Sequence, residues 1–182
     1  MSVHLQKLEE LFKEDDELTV ELSEATEPIP FPHMLLSFPS EVNDFEVFML
    51  IISVVEAEII QAAFESAGEF DLLNVLYPFP YEIEDPEMVK DVSRLLHLLN
   101  KINIIGTFGY DEYENRCFYR HSLVLSRSNP DYHTALSTIL LVKDILSIYT
   151  GAIEDVSTGA ITTEALLEKF NSGVQESEEQ PS

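Results

Sequence analysis

Positive charge is scarce in this sequence. Ten lysines and arginines stand against 34 aspartates and glutamates over 182 residues, a formal net charge of -24. Nucleic acid and anionic membrane surfaces are not expected as partners, because their phosphates would be repelled. Cysteine is scarcer still: Cys117 stands alone, so no internal disulfide can form. The histidines His4, His33, His97, His121 and His133 form no HxH, HExxH or Cys/His cluster, and no metal site is expected. The six glycines supply no phosphate-cradling loop. The GTFG at 106–109 fits neither a dinucleotide fingerprint nor a P-loop, so no cofactor is expected. Apolar runs are short as well. The longest, Val47 to Ile52 continuing through Val55, falls far below the length of a membrane span. No basic stretch followed by an apolar one opens the chain, so no secretory leader is expected and a cytoplasmic protein is.

What remains is enough to fold. Hydrophobic residues make up 45% of the chain, too many for a disordered acidic polypeptide, and the length suits one domain with a real core. That domain is placed at residues 1–170. Residues 171–182 are dominated by Ser, Glu and Gln and are expected to form a disordered acidic tail. Charge is uneven along the domain. Residues 1–30 hold nine acids and two lysines, whereas seven of the ten basic residues lie between Lys90 and Lys143.

The clearest local signal runs from Asp85 to Leu125. Asp85 suits an N-cap and Pro86 the first helical position, where its missing N–H has no partner to lose. Met88, Val92, Leu95, Leu96, Leu99 and Ile102 then form one apolar stripe, and Asn100 and Asn103 mark the expected helix end. The period changes to two. Ile104, Gly106, Phe108 and Tyr110 share one strand face, a polar turn spans Asp111 to Asn115, and the return strand sets Cys117, Tyr119, His121, Leu123 and Leu125 against Arg116, Phe118, Arg120, Ser122 and Val124. Before this unit, VHLQKLEELFKE at 3–14 reads as a helix, Leu18 to Leu22 as an edge strand and Met34 to Phe38 as a short strand between prolines. The stretch 45–67 is apolar on all sides, so strand and helix stay open; the compromise is a strand to about Val54 and then a helix or irregular segment to Gly68. Phe70 to Tyr77 reads as a strand. Asn129 and Pro130 mark another helix, with Gly151 as its expected end, and ITTEALLEKF at 161–170 a last short one.

Catalytic chemistry finds little support. Cys117 and His121 share a strand face, but at i and i+4 they lie about 13 Å apart, beyond hydrogen-bond reach. Asp111, Glu112 and Glu114 in the hairpin turn lack the spacing of a calcium loop. A small hydrolase is therefore a distant third reading. Tyr110, Tyr113, Phe118 and Tyr119 interleave with Arg116 and Arg120, residue types favoured at protein interfaces. Arg116, Phe118 and Arg120 form the candidate protein-binding face. On the helix from Asp131, Leu136, Ile139, Leu140 and Leu146 form a face that packs on a sheet or serves dimerisation with a second copy.

The segment LLHLLNKINIIGTFGYDEYENRCFYRHSLVL resembles the YbjN family, described as bacterial sensory transduction regulators. Leu99-Asn100 and Asn103, Gly106 and Phe108, and Tyr119-Arg120 followed by Leu123 carry the resemblance, which covers roughly residues 70–150. The family resembles the class I chaperones of type III secretion, small acidic α/β proteins that dimerise and hold extended client segments. The resemblance implies no catalytic residues. The expectation is an α+β domain, a twisted, mostly antiparallel sheet packed against two long helices in a chaperone-like two-layer sandwich. Its expected function is that of a non-enzymatic adaptor or regulator binding protein segments, with acidic surroundings favouring basic clients. The alternative is an acidic nucleic-acid mimic that inhibits a DNA-binding protein.

Overall fold

Along the chain, the computed structural model places helix α1 (Val3–Phe12), strands β1 (Thr19–Ser23), β2 (His33–Pro39) and β3 (Val47–Val55), and the short helix α2 (Ala57–Gln61). Next come β4 (Phe70–Pro78), α3 (Pro86–Ile102), the hairpin β5 (Thr107–Asp111) and β6 (Arg116–Ser126), and α4 (Tyr132–Ser157). A last short helix covers 163–169. The structure describes residues 2–27, 29–39, 47–61 and 67–169. The expected acidic tail at 171–182 lies outside them, as do residues 45–46 and 62–66 of the ambiguous apolar stretch. Within the described part of that stretch the strand runs through Val55 and the helix follows at once.

The class is α+β. All neighbouring strands pair antiparallel in one open sheet of six, in the order β1-β2-β3-β4-β6-β5. Alternation decides which side chains meet the helices. Met34, Leu36 and Phe38 of β2, Leu50 and Ile52 of β3, Leu73, Val75 and Tyr77 of β4, and Cys117 and Tyr119 of β6 are all buried on the inner face. α1 adds Leu5, Leu8 and Phe12 to that core, α3 adds Val92, Leu95, Leu96 and Leu99, and α4 adds Ile139, Val142, Leu146, Ile153 and Val156. Each such side chain contributes about 1.5–3 kcal/mol by leaving water.

Local chemistry explains where elements stop. The Asp85 carboxylate accepts the Glu87 N–H at 2.9 Å, and Pro86 opens α3 as expected. Asn103 ends α3 in an extended conformation, not the left-handed one its type suggested. The left-handed turn falls instead at Gly106, with φ +67°. A Cβ there would stand 2.1 Å from the Tyr119 hydroxyl, so the close crossing of strand and turn requires glycine. Asn115 takes φ 52° in the hairpin turn, where the Asp111 carboxylate accepts the Tyr113 and Glu114 N–H groups at 2.8 and 3.2 Å.

α4 departs from the sequence expectation at both ends. Asp131, not Asn129, caps it, accepting the Thr134 N–H at 3.0 Å. Gly151 does not stop it: Thr150, Ile153 and Val156 keep burying the same stripe, and the chain turns at Gly159 with φ +73°. Packing on the sheet outweighs a helical glycine that costs about 0.5–1 kcal/mol. By length and composition alone α4 could cross a membrane, a feature missed by scanning for uninterrupted apolar runs. In this fold its stripe lies on the sheet: Tyr149 meets the Phe108 ring edge-on at 5.8 Å and Lys143 lies over Phe38 at 5.9 Å.

Candidate functional site

The sheet's second face has no helix layer among the described residues. Antiparallel register aligns its side chains in rows across the strands. One row runs Glu21, Leu35, Ile51, Leu76, Arg120, Thr107, and beside it runs Ser23, His33, Ser53, Asn74, Ser122. Val55, Leu72 and Val124 form a further row, and Pro78, Phe118 and Gly109 another. Met49 and Val124 are 42% and 64% exposed, unlike their neighbours Leu50 and Leu125 at 0% and 3%. In a chain this acidic, the described outward side chains of β2, β3, β4 and β6 include no carboxylate.

The three residues expected to form a contact face, Arg116, Phe118 and Arg120, all lie on this outer face of β6. They line a groove of about 550 Å³ with Ile51, Leu76 and Pro78, while Asp111 and Glu114 stand at its end. Phe118 lies over Gly109 of the neighbouring strand, so closely that a Cβ on Gly109 would meet the ring at 2.4 Å. The two arginines differ. Arg116 donates to the Glu82 carboxylate, so its charge is largely answered. Arg120 is exposed and makes no ion pair among the described residues. Below it, the Ser122 hydroxyl donates to Asn74 Oδ1 at 2.6 Å, joining β6 to β4.

The tyrosines grouped with these arginines in the sequence separate from them in space. Tyr119 is wholly buried on the inner face, donating its hydroxyl to the Ile105 carbonyl at 2.8 Å, and Tyr110 donates to the Ile83 carbonyl at 3.0 Å. Tyr113 stands at the hairpin tip, 97% exposed. Cys117 is fully buried beside the Ser157 hydroxyl, and burial pushes its thiol up to about 12, which keeps it protonated at neutral pH.

The helix face named for dimerisation is divided by the fold. Ile139 and Leu146 are buried in the core at 0% and 1% exposure, and Leu136 packs against it. Ile139 and Leu146 cannot also meet a second copy, and Leu136 is only partly available to one. Leu140 is the one of the set left exposed, beside Leu141 and Ile148. The 3.6-residue period brings a wide stripe to the sheet first, because the sheet is the larger apolar surface to cover.

One polar cluster escaped the sequence reading. His4 of α1 bonds the Tyr132 hydroxyl through Nδ1 at 2.8 Å and the buried Asp71 carboxylate through Nε2 at 2.9 Å. The same carboxylate accepts the Ala57 N–H at 2.7 Å, and Arg127, bonded to Glu58 at 2.8 Å, approaches it at 3.5 Å. Burial raises the Tyr132 phenol, so it stays protonated at neutral pH and holds no nucleophile ready. The cluster ties the starts of α1, β4 and α4 together. Partners 67 and 128 residues apart leave no local sequence signal. Among the described residues no group of three His, Cys, Asp or Glu side chains is placed to hold a metal. A groove of about 700 Å³ lies away from these groups, between the start of α3 and the turn after α4. Lys90 and Arg94 face Asp91 and Glu164 around it, a mixed wall without a converging set.

Comparison with known proteins adds no name to this geometry: no family model matches the chain and no curated protein matches it.

Proposed function

We propose that this protein is a non-enzymatic adaptor or chaperone-like regulator that holds a segment of a partner protein on the outer face of its sheet. One observation carries the reading. A chain with 34 acids keeps them off the described outer faces of its four central strands and sets apolar side chains and two arginines there instead. An exposed apolar patch rimmed by charge is the physical mark of a contact surface. Desolvation of Ile51, Leu76 and Phe118 supplies affinity, and Arg120 supplies selection. The acidic remainder of the surface repels anionic polymers, which leaves a protein client as partner, with neither nucleic acid nor membrane.

The resemblance to the YbjN family and the type III secretion chaperones supports the same kind of work in the cytoplasm. Dimerisation through α4 belongs to the proposal only for Leu140 and its exposed neighbours Leu141 and Ile148; a strict monomer in light scattering removes it. The adaptor itself is tested by affinity capture from the native cell followed by mass spectrometry. Partners held by the wild type are expected to fall about tenfold with Phe118→Ala and Arg120→Ala combined. An unchanged profile removes the reading.

A further inference from the structure

We propose that the loop between β1 and β2, through Ile29, Pro30 and Phe31, is the molecule's own occupant of the outer face. The partner it stands in for is an extended apolar segment bearing a carboxylate. This rests on the outer face being the contact surface.

Three observations meet here. The first is position. Ile29 lines the groove of about 550 Å³ together with Ile51, Leu76 and Arg120, and it also lines a second groove of about 250 Å³ with Phe31, Ser53 and Asn74. It therefore sits over the row that crosses the middle of the sheet. His33 points to this same outer face yet is only 4% exposed, and its Nδ1–H donates to the Phe31 carbonyl at 3.0 Å. The second is the chemistry of the loop. Its sequence alternates Glu27, Ile29 and Phe31 with Pro28, Pro30 and Pro32. Proline fixes φ and removes a donor, so such a segment loses little freedom when it is seated. A further bond shaping the loop is internal, from the Thr26 N–H to the Ile29 carbonyl at 2.8 Å. The third is charge. Arg120 lacks an ion pair among the described residues, on a face with no carboxylate on its four central strands. A guanidinium beside Leu76 and Thr107, in one groove with Ile51, selects a carboxylate above other groups.

The acidity of the whole chain suggested basic clients, but Asp111 and Glu114 enter this groove only from the β5 hairpin, and the described outward positions of β2, β3, β4 and β6 hold two arginines and no carboxylate. Glu27 makes no ion pair with Arg120, so the loop fills the groove through Ile29 and leaves the guanidinium open, and a partner with an acidic residue near a branched aliphatic one answers both. It must displace the loop to bind, so the loop sets the threshold for binding.

The experiment uses a fluorescent peptide with the sequence of residues 24–32, titrated by anisotropy into the full-length protein. Wild type carries its own competitor. The Ile29→Ala, Phe31→Ala variant does not, and it is expected to bind the peptide about tenfold more tightly, because the competent fraction rises. Adding Arg120→Glu to that variant is expected to weaken binding about tenfold, and Glu27→Lys in the peptide to recover part of the loss. Equal binding to wild type and variant overturns the proposal. So does no binding to a variant whose circular dichroism and melting match wild type, or binding indifferent to Arg120→Glu. Tight peptide binding beside an unchanged cellular capture profile would keep the loop as occupant while removing the adaptor. Loss of captured partners without peptide binding would remove the loop alone.

Discussion

Met49 and Leu50 are neighbours in β3, as Phe118 and Tyr119 are in β6, yet within each pair one side chain is sealed by helices and the other faces outward. The inner face is a closed packing problem: α1, α3 and α4 cover it, and Tyr77 meets Phe48 at 5.6 Å on one side and Phe79 edge-on at 4.9 Å on the other. The outer face mixes apolar side chains with the polar row of His33, Ser53, Asn74 and Ser122, is overlaid by one proline-rich loop among the described residues, and carries cations where the inner face carries buried Asp71. An apolar sheet face left without a helix layer is a poor solution for stability alone. The difference teaches that the inner face holds the fold together, while the outer face is the surface proposed for an occupant.

Mutating neighbours on the two faces is the strongest way to break this comparison. Tyr119→Ala is expected to lower unfolding free energy by about 3–5 kcal/mol in urea titrations, since it empties a sealed site and removes one of the two donors, with Asn103, to the Ile105 carbonyl. Phe118→Ala, one residue away, is expected to cost about 1 kcal/mol or less, the worth of a cross-strand contact. Equal losses would mean that the outer face is also core.

A middle-sized effect is expected at the sheet edge. The Asn100 side chain accepts the Phe108 N–H and donates to the Phe108 carbonyl, both at 2.8 Å, and so closes β5 like another strand. Asn100→Ala is expected to cost about 1–3 kcal/mol by leaving both groups unpaired. If the edge is closed for this reason, hydrogen exchange at Phe108 should also quicken. Unchanged exchange would show that α3 protects the edge by bulk alone.

The smallest effect reads the inner face through acidity. Burial lowers the pKa of His121 below its ordinary 6.5. The unfolded chain therefore takes up the proton first, and the stability present above pH 6.5 is lost as pH falls from there through the folded value. Urea midpoints are expected to decline over that window, and His121→Gln to flatten that part of the curve. A midpoint that stays level with wild-type His121 would place this ring in water and weaken the contrast between the faces.

Much of the architecture was legible from local rules. Asp85 and Pro86 marked the start of α3, and alternation assigned Cys117, Tyr119 and Leu125 to one face and Arg116, Phe118 and Arg120 to the other. The limits of α4 were not legible, because a glycine stops a helix only when nothing beyond it needs burying, and Ile153 and Val156 did. The division of Leu136, Ile139, Leu140 and Leu146 was not legible either, since a wide apolar stripe does not state which part meets the sheet. In the contact face, the sequence supplied the β6 residues. Ile51, Leu76 and Ile29 come from strands and a loop far away in the chain, and only strand order brings them to Arg120.

Period, caps and composition by themselves determined that this chain makes helices and strands of these types, in nearly these places, with an acidic surface. These are short-range properties, set by backbone sterics and by hydrogen bonds within a few residues. Which of two apolar strand faces the helices cover, that Asn100 closes one edge, that His4 reaches Asp71, and that a proline-rich loop comes to lie over an arginine were decided only by the tertiary structure. Those outcomes depend on contacts between residues tens of positions apart, whose energies exist only once the sheet has assembled.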